Sequence, residues 1–457
     1  MFRVFRHYIS GKTLTLIAVD LGITAAAAGV PCVTGLWLGL SPVWPKIVAL
    51  SGAVVLTLYL ADLYRTDLHF GGRELGARLS LAIACAAILV AALGFAIPPL
   101  RLGRLAFFQI FGSAGVGLLL WRATWNRIHS DERLHRRVLV LGLSRAATAI
   151  VRLQNSGSQP FAVLGFLDED PGAHDMLPPG YELLGKPSDL LNIVDELHPD
   201  LVLVALPDMR KTFPADDLLE CRLRGIQVEE WPTFYEKQTG KILVIGLRPS
   251  WLIFCDGFIN THRTQALKRG IDIILALIGL AVSLPFMGLI AVFIKLDSPG
   301  AILFRQERVG RNGKIFILNK FRSMHKDAER ASGPVWASAR DPRITRVGRF
   351  LRKTRLDELP QLFNVLVGNM SFVGPRPERP EFIRVLRQRI PFYVGRLAVK
   401  PGITGWAQIR HHYAASVEET HEKLQYDLYY IKNLSLFLDL LILLQTVQVI
   451  LFIRGAR

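Results

Sequence analysis

Two adjacent carboxylates, Asp357 and Glu358, lie in the segment Arg355-Leu-Asp-Glu-Leu-Pro-Gln361 of a strongly basic chain. A carboxylate surrounded by cations needs an anionic or metallic partner, and a carboxylate pair in this setting indicates Mg²⁺-assisted attack on a phosphate. The same pair could instead cap a helix, because Thr354-x-x-Asp357 resembles a capping box. The residues alone leave both interpretations open.

The carboxylate pair is predicted to lie at the beginning of a helix. Leu359, Leu362, Phe363 and Leu366 recur at helical spacing, and Pro360 is tolerated only in a first turn. The start of a helix favours anions and phosphates through its dipole and its free N–H groups.

Basic residues crowd into the segment before the pair, and the whole chain carries a net charge of +17. This charge suits a nucleotide diphosphate and a lipid phosphate held at an anionic membrane surface. No groove-reading or base-stacking motif accompanies the charge, so nucleic acid is excluded as a partner. The basic residues are Arg305, Arg308, Arg311, Lys314, Lys320, Arg322, Arg340, Arg343, Arg346, Arg349, Arg352 and Lys353.

The cysteines and histidines indicate neither a metal site nor a disulfide framework. The four cysteines, Cys32, Cys85, Cys221 and Cys255, have no paired spacing. The adjacent histidines His411 and His412 lack further ligands at the spacing of a zinc site, so no zinc is assigned.

Four apolar stretches in the first part of the chain are each long enough to cross a hydrocarbon core of roughly 30 Å. They cover residues 14–38, 47–63, 79–97 and 105–121, and no cleavable signal peptide is expected. Basic residues precede the first stretch and follow the second and the fourth, which predicts that both ends of the bundle face the cytoplasm.

A soluble α/β texture begins near residue 136. Apolar runs at residues 138–141, 161–167 and 201–206, with a helical pattern between the last two, predict βαβ units and a partly parallel sheet. Gly142 is a single glycine at a place where a dinucleotide-binding turn requires two or three. We therefore expect a Rossmann-like packing or regulatory module without a cofactor.

Two further apolar segments leave their membrane topology open. Residues 271–294 have basic flanks on both sides, and Pro285 near the middle predicts a helix-break-helix that dips into one leaflet, with Ser283 bonding a freed backbone group. A kinked transmembrane helix is the alternative. Residues 434–453 are interpreted as an interfacial helix, with a true span as a rival.

Five motifs occur in order along the second half of the chain, and together they resemble the bacterial sugar transferase family, the monotopic polyprenyl-phosphate glycosylphosphotransferases. The bundle and the Rossmann-like module resemble the long form of that family, and residues 251–257 resemble its exopolysaccharide branch. The chain has Ser283-Leu-Pro285 where the family commonly has Ser-Pro. The motifs are Lys320-Phe-Arg-Ser-Met324, Arg352-Lys-Thr-Arg-Leu-Asp-Glu-Leu-Pro-Gln-Leu362, Gly368-Asn-Met-Ser-Phe-Val-Gly-Pro-Arg-Pro-Glu378, Lys400-Pro-Gly-Ile-Thr-Gly-Trp-Ala-Gln408 and Tyr426-Asp-Leu-Tyr-Tyr-Ile-Lys-Asn433.

The resemblance implies transfer of hexose-1-phosphate from a UDP-sugar to undecaprenyl phosphate with release of UMP, the first membrane step of exopolysaccharide, capsule or O-antigen assembly. Asp357 would be the nucleophile of a covalent aspartyl-phosphosugar intermediate and a ligand of Mg²⁺. Glu358 would complete the metal shell or assist proton and charge handling. The sequence leaves the hexose open.

The resemblance also assigns the substrate-binding residues. Lys320, Arg322, Arg352 and Arg376 would neutralise phosphoryl charge, with Arg376 held in a rigid turn by the flanking prolines. The positions near the nucleotide are Thr404, Gln408 and Asp427, and those of the membrane break are Ser283 and Pro285.

The predicted fold is a membrane α-helical bundle (residues 1–130), an α/β Rossmann-like module (131–258) and a mainly α monotopic catalytic domain (259–457) with a re-entrant membrane helix at about 271–296. We expect a multi-pass protein of the bacterial inner membrane with its catalytic domain on the cytoplasmic face of the lipid bilayer. A homodimer and contacts with downstream glycosyltransferases are further expectations.

Two other functions compete with the transferase. A membrane-tethered nucleotide-sugar epimerase or dehydratase would need Tyr-x-x-x-Lys in context, yet that spacing occurs only at Tyr8 and Lys12, before the first apolar stretch. A catalytically inactive membrane scaffold is the other alternative, and the intact Asp357 and Glu358 argue against it.

Overall fold

The computed structural model describes most of the chain and divides it into two compact units. One unit comprises Met1–Phe2 and Ile9–Gln238, and the other comprises Arg3–Tyr8 and Thr239–Arg457. The three-domain division stays a prediction, because both predicted boundaries adjoin residues outside the described part. The described residues are 2–4, 7–33, 43–65, 70–129, 136–143, 145–155, 161–169, 177–206, 213–244, 249–258, 261–325, 341–411 and 417–451.

Four long helices follow two short N-terminal strands, and all four are apolar and long enough to cross a membrane. Side chains such as Leu58, Ile110 and Leu118 are fully buried among them. The predicted set of apolar helices is thereby confirmed. The elements are β1 (Phe2–Val4), β2 (His7–Ile9), α1 (Gly11–Val33), α2 (Val43–Leu60), α3 (Gly72–Ala96) and α4 (Arg104–His129).

The helix bounds differ from the apolar stretches where polar residues join the helix. Helix α3 begins ahead of residue 79, and Arg78 Nε donates to Glu74 Oε1 at 3.0 Å one turn away. Arg122, one of the basic residues that follow the fourth apolar stretch, lies inside α4, and its Nη2 donates to Asp20 Oδ2 of α1 at 2.6 Å. A buried ion pair therefore links the first and fourth helices.

The α/β part of the first unit is a five-stranded, all-parallel sheet of order β5-β4-β3-β6-β7. The apolar runs that predicted strands form β3, β4 and β6, so the predicted parallel sheet is confirmed. The elements are β3 (Arg136–Leu141), α5 (Arg145–Asn155), β4 (Phe161–Leu167), β5 (Leu183–Gly185), α6 (Leu190–Leu197), β6 (Leu201–Val204), α7 (Ala215–Leu223), β7 (Gln227–Glu230) and α8 (Trp231–Thr239).

Gly142 follows β3 in a conformation that only glycine adopts readily. Its φ is +107°, and a Cβ atom there would lie 2.7 Å from the backbone nitrogen of Leu206. Close packing between the ends of β3 and β6 thus accounts for this glycine. Leu143 N, in the same turn, donates to the carboxylate of Asp168 at the end of β4.

The second unit is mainly helical, with an antiparallel hairpin β8–β9 and a short parallel pair β10–β11. Its core holds fully buried aromatic residues, among them Tyr393, Tyr429 and Tyr430. The elements are α9 (Pro249–Phe254), α10 (His262–Asp297), β8 (Leu303–Val309), β9 (Ile315–Phe321), α11 (Arg346–Thr354), α12 (Gln361–Val367), β10 (Ser371–Val373), α13 (Pro380–Arg389), β11 (Gly402–Thr404), α14 (Trp406–Arg410), α15 (Val417–Lys432) and α16 (Leu436–Leu451).

Helix α10 corrects the predicted break at Pro285. It runs uninterrupted for 36 residues with Pro285 inside, and Ser283 Oγ donates to Met287 Sδ at 3.6 Å instead of bonding a freed backbone group. Proline is tolerated inside apolar helices when neighbouring groups compensate for its missing hydrogen bond. Large apolar side chains such as Ile278 and Phe286 are exposed along this helix, which is apolar enough to enter a membrane.

The C-terminal apolar segment forms α16, which is anchored in the core of the second unit. Leu438 and Ile442 are fully buried, and Asp439 accepts hydrogen bonds from Lys268 Nζ at 2.6 Å and Tyr430 Oη at 2.8 Å. This burial favours a helix packed on its own unit over a transmembrane span.

Candidate active site

The carboxylate pair lies in a single 3₁₀ turn, Leu356–Glu358, between α11 and α12. Arg355 adopts a left-handed conformation (φ 57°), which turns the chain sharply after α11. The capping-box alternative does not form, because Thr354 Oγ1 donates to Phe350 O at 2.9 Å instead. Pro360 precedes the first residue of α12, so the predicted helix follows the pair rather than containing it.

Glu358 is held by two cations. Its Oε1 accepts hydrogen bonds from Arg376 Nη2 at 2.8 Å and Lys320 Nζ at 3.3 Å. Burial alone would raise the pKa of Glu358, but the charges of Arg376 and Lys320 outweigh burial and hold the pKa well below its usual range. Glu358 is therefore ionised at neutral pH and offsets the charge of both cations.

Asp357 differs from its neighbour in having no such partner. Asp357 is only 9% exposed, yet its side chain accepts no hydrogen bond and forms no ion pair among the described residues. Burial raises the pKa of Asp357; Lys320 opposes this effect, while the adjacent Glu358 carboxylate adds to it. Asp357 is thus an uncommitted carboxylate beside strong cations, as a nucleophile or a metal ligand requires.

The carboxylate pair fits the way in which Mg²⁺ binds to phosphate-transferring sites. Such ions take one or two carboxylates and complete their shell with water and substrate phosphates. No group of three or more His, Cys, Asp or Glu side chains suitable for a metal occurs in the described part of the chain. A magnesium ion at Asp357 would therefore depend on substrate oxygens for much of its shell.

Asn364 fixes the register between the helix after the pair and the strand that carries Lys320. Its Oδ1 accepts from Asn319 N at 3.1 Å, and its Nδ2 donates to Ile317 O at 2.6 Å. These bonds tie α12 to β9. They hold Lys320 within reach of Glu358.

Arg352, on α11, has an unused donor near the pair. Its Nη1 atom is buried without a hydrogen-bond partner among the described residues, and its charge acts on Asp357. Helix α11 packs closely on the chain after β9, since a Cβ atom on Gly348 would lie 2.0 Å from Ser323 O. A phosphate oxygen would satisfy the buried Arg352 donor.

Arg322 has a different environment from the one the sequence predicted. Its Nη1 donates to Pro299 O at 2.8 Å, and its Nη2 donates to Ser298 O at 2.6 Å and Ile294 O at 3.3 Å. These carbonyl groups belong to the C-terminal end of α10 and the residues after it, where a cation is favourable. These contacts favour a role for Arg322 at that helix end over phosphate binding, although its Nε is buried without a partner among the described residues.

Arg376 projects from a turn whose backbone is bonded on several sides. Pro375 O accepts from Gly402 N at 3.0 Å, Arg376 O from Arg396 Nη2 at 2.9 Å and Pro377 O from Arg308 Nη1 at 3.1 Å. The prolines restrict the chain on both sides of Arg376. The turn therefore offers the Arg376 guanidinium to Glu358 from a rigid base.

The three residues predicted near the nucleotide occupy different environments. Thr404 Oγ1 shares a hydrogen bond of 2.7 Å with Thr446 Oγ1 of α16, and Asp427 Oδ2 accepts from Arg396 Nη2 at 2.9 Å. Gln408 Nε2 donates to Ile403 O, while its Oε1 is buried without a partner among the described residues. Of the three, Gln408 keeps an acceptor for a ligand.

Sequence reasoning missed Arg396 and Asn364. Arg396 lies in the apolar run between two recognised motifs, and its only sequence signal is a charge where burial is expected. Asn364 is buried in α12 together with Leu362 and Val365, but in the sequence it is an ordinary polar residue within an apolar segment.

Comparison with known proteins gives two family matches. Residues 261–453 match a model described as bacterial sugar transferase, and residues 59–212 match one described as CoA-binding domain. The first match contains every predicted site residue.

Several curated relatives share this part of the chain. The UDP-N-acetylgalactosamine-undecaprenyl-phosphate N-acetylgalactosaminephosphotransferase of Aeromonas hydrophila is 44% identical over 52% of this chain and 56% of the relative. The undecaprenyl-phosphate glucose phosphotransferase of Komagataeibacter xylinus is 33% identical over 71% of this chain and 61% of the relative. The exopolysaccharide production protein PSS of Rhizobium leguminosarum bv. phaseoli is 43% identical over 40% of this chain and 93% of the relative. The chain thus spans little more than half the length of the first two.

Proposed function

The chain belongs to the bacterial sugar transferase family, and from this premise we propose that it moves hexose-1-phosphate from a UDP-sugar to undecaprenyl phosphate and releases UMP. The Aeromonas and Komagataeibacter relatives are named as undecaprenyl-phosphate sugar phosphotransferases. The observation that carries the proposal is the contrast within the carboxylate pair. Glu358 binds two cations, whereas the neighbouring Asp357 is buried and uncommitted.

The proposed reaction has two displacement steps. A carboxylate oxygen of Asp357 attacks the β-phosphorus of the UDP-sugar, the bond from that phosphorus to the bridging oxygen breaks, and UMP leaves with the bonding electrons. A phosphate oxygen of undecaprenyl phosphate then attacks the same phosphorus and releases the Asp357 carboxylate. Covalent catalysis divides a reaction between a soluble and a lipidic substrate into two single-substrate steps.

Three cations would stabilise the charge that develops on the phosphoryl oxygens. Lys320 and Arg376 already lie at Glu358, and Arg352 has a buried donor without a partner among the described residues. Asp357, with Glu358 as a second candidate, would hold Mg²⁺. The ion would neutralise diphosphate charge and orient the β-phosphate.

A panel assay tests the proposed function. The full-length protein, in detergent or lipid nanodiscs with Mg²⁺, is incubated with several UDP-sugars, with and without undecaprenyl phosphate, and UMP is measured. We expect about one equivalent of UMP without acceptor and continuous turnover with it. Asp357→Asn should abolish both, and Glu307→Gln, an exposed carboxylate on β8, should retain them. Release of no UMP from any sugar, or full activity in Asp357→Asn, would refute the proposal and leave the inactive scaffold.

The membrane topology is part of the same proposal. We propose that α10 is re-entrant, bent at Pro285 without being interrupted, so that both ends lie on the cytoplasmic face of the bacterial inner membrane. Its ends carry Lys268 and Lys295, and the nucleotide substrate is cytoplasmic. The variants Arg263→Cys and Lys295→Cys, each labelled from one side of sealed vesicles, test this topology. Labelling of the two positions from opposite sides would show a transmembrane span.

The assembly expectations are also proposals. We propose that the protein acts as a homodimer and that its product passes to downstream glycosyltransferases in exopolysaccharide, capsule or O-antigen assembly. The name of the Rhizobium relative, an exopolysaccharide production protein, supports the pathway. Light scattering of the nanodisc-embedded protein tests the dimer.

A further inference from the structure

Arg396 is a buried cation in the segment Tyr393–Ala398, and it contacts the turn that carries Arg376 rather than the carboxylate pair. We propose that Arg396 is a positioning residue for the transferase reaction, which sets the orientation of Arg376 by binding the main-chain carbonyl of Arg376. The inference rests on the proposed function and adds a determinant of substrate-phosphate binding outside the site itself.

The contacts of Arg396 use its planar, five-donor head. Its Nη2 donates to Arg376 O and to Asp427 Oδ2, each at 2.9 Å, and its Nη1 donates to Tyr393 Oη at 2.8 Å. Arg396 is only 4% exposed. A lysine could keep the charge but could not make these bonds in the same fork geometry.

Two carboxylates, the buried Asp427 and the half-buried Glu378, hold Arg396 in place. Asp427 comes from α15, and Glu378, 3.8 Å from Arg396 Nη1, comes from the end of the Arg376 turn. Glu378 Oε1 also accepts from Lys423 Nζ of α15 at 2.8 Å. Buried charges persist only when they are paired, so the position of Arg396 is fixed from α15 and from the turn together.

The carbonyl of Arg376 is the point at which this network acts on the site. The adjacent carbonyls of Pro375 and Pro377 are bonded to Gly402 N and to Arg308, and Arg396 completes the set. With both neighbours fixed, the Arg396 hydrogen bond determines the peptide plane after Arg376. The Arg376 guanidinium then meets Glu358 Oε1 at 2.8 Å.

A double-mutant cycle separates positioning from a purely structural role. The variants are Arg396→Lys, Arg376→Ala and the two combined, in the full-length protein, with kcat/KM for UMP release, the affinity for UDP and the unfolding midpoint as readouts. A residue that acts only through Arg376 has no further effect once the Arg376 side chain is gone, whereas a general loss of stability acts in both backgrounds.

We expect Arg376→Ala to lower kcat/KM about 100-fold and Arg396→Lys about 10-fold. In the Arg376→Ala background, Arg396→Lys should change kcat/KM by less than about two-fold. Tyr429→Phe is the matched control. Tyr429 lies on α15, the helix that carries Asp427, and the substitution removes its hydrogen bond of 2.9 Å to His7. This control should lower the unfolding midpoint and leave kcat/KM within about two-fold.

Each outcome is decisive for one of the two proposals. Equal effects of Arg396→Lys in both backgrounds, or no effect with Arg376 present, would overturn the positioning role. If the wild-type protein releases no UMP, the proposed function fails, and the same cycle is evaluated on UDP affinity. There the positioning role requires Arg396→Lys to weaken UDP binding only when Arg376 is present.

Discussion

Asp357 and Glu358 are neighbours in sequence, but the structure gives them opposite electrostatic environments. Glu358 is stabilised as a carboxylate by Arg376 and Lys320, whereas burial disfavours the charge on Asp357. A nucleophile needs a lone pair that no hydrogen-bond donor occupies, whereas a counter-ion is stabilised when its oxygens accept several hydrogen bonds. In the proposed reaction the pair therefore divides into a reacting group, Asp357, and a group that organises the cations, Glu358.

This division predicts how Glu358→Gln behaves. Glutamine keeps the shape but removes the charge that holds Arg376 and Lys320, so these cations lose their orientation toward the transition state. We expect kcat for UMP release to fall about 100-fold while the KM for the UDP-sugar stays the same or falls. Steady-state kinetics and a UDP inhibition constant check this outcome. An increase in KM with unchanged kcat would mean that Glu358 contributes only to ground-state binding.

Arg322 and Arg352 provide a second prediction at the same scale. Arg322→Met removes hydrogen bonds to the carbonyls at the end of α10, and we expect about 1–3 kcal/mol of lost stability with an unchanged KM. Arg352→Met should raise the KM for the UDP-sugar with little loss of stability, because its Nη1 has no protein partner among the described residues. Thermal unfolding and UMP-release kinetics of both variants make the comparison. The reverse pattern would return Arg322 to the site.

The carboxylate pair and its basic surroundings could be predicted from residue types and spacing, because those patterns are local. The partner of each cation could not. Arg322 and Lys320 are two residues apart, yet one binds the end of α10 and the other binds Glu358. Such choices depend on tertiary packing, and Arg396 escaped notice for the same reason.

At the level of elements, three glycines allow the turn of Arg376 to pack on β11. A Cβ atom on Gly402 would lie 2.1 Å from Gly374 N, and one on Gly405 would lie 2.2 Å from Gly374 O. Real Cβ atoms do not approach a backbone so closely. The parallel pair β10–β11 thus depends on glycine at these positions to bring the turn against the Lys400–Gln408 motif.

Gly402→Ala is therefore expected to displace the turn. Overpacking against the backbone should destabilise the protein by about 1–3 kcal/mol and lower kcat/KM about 10-fold or more through movement of Arg376. Gly270→Ala in α10 is the matched control, because open space surrounds that position. It should preserve activity and leave stability unchanged or raised by up to about 1 kcal/mol. Equal behaviour of the two variants in unfolding and kinetic assays would contradict the close approach.

The long helices show where element prediction succeeded and failed. Apolar length and basic flanks located every candidate span, since both are properties of composition. Proline predicted a break, but α10 continues as one helix through Pro285, because neighbouring groups in an apolar helix can compensate for the missing hydrogen bond. The role of α16 was open from sequence, and the buried contacts of Asp439 with Lys268 and Tyr430 favour a helix packed on its own unit.

For the whole molecule, the two compact units combine long apolar helices with a basic candidate site. Five helices in the described residues are long and apolar enough to enter a bilayer, and a net charge of +17 favours an anionic membrane surface. A chain of this charge must pair its buried ions internally. Its stability is therefore expected to depend on pH.

The ion pairs of Glu378 predict the pH range in which this stability is lost. Burial alone would raise the pKa of Glu378, but Lys423 and Arg396 outweigh it and lower the pKa to about 2, from an ordinary value of 4.5. Because the folded pKa is the lower one, its stabilising contribution is complete above pH 4.5 and is lost as the pH falls toward 2. The difference corresponds to about 3 kcal/mol in the free energy of unfolding at neutral pH.

Unfolding midpoints of the solubilised wild-type protein and Glu378→Gln, measured from pH 7 to pH 3, test this dependence. Other carboxylates titrate in both proteins, so the informative quantity is the difference between the two midpoints. We expect the wild type to be more stable at pH 7, with the difference shrinking below about pH 4.5 as the Glu378 carboxylate becomes protonated in the unfolded chain. The exposed Glu381→Gln should show no such trend. A difference that stays constant down to pH 3 would mean that the stabilisation comes from the shape of the side chain and not from its ion pairs.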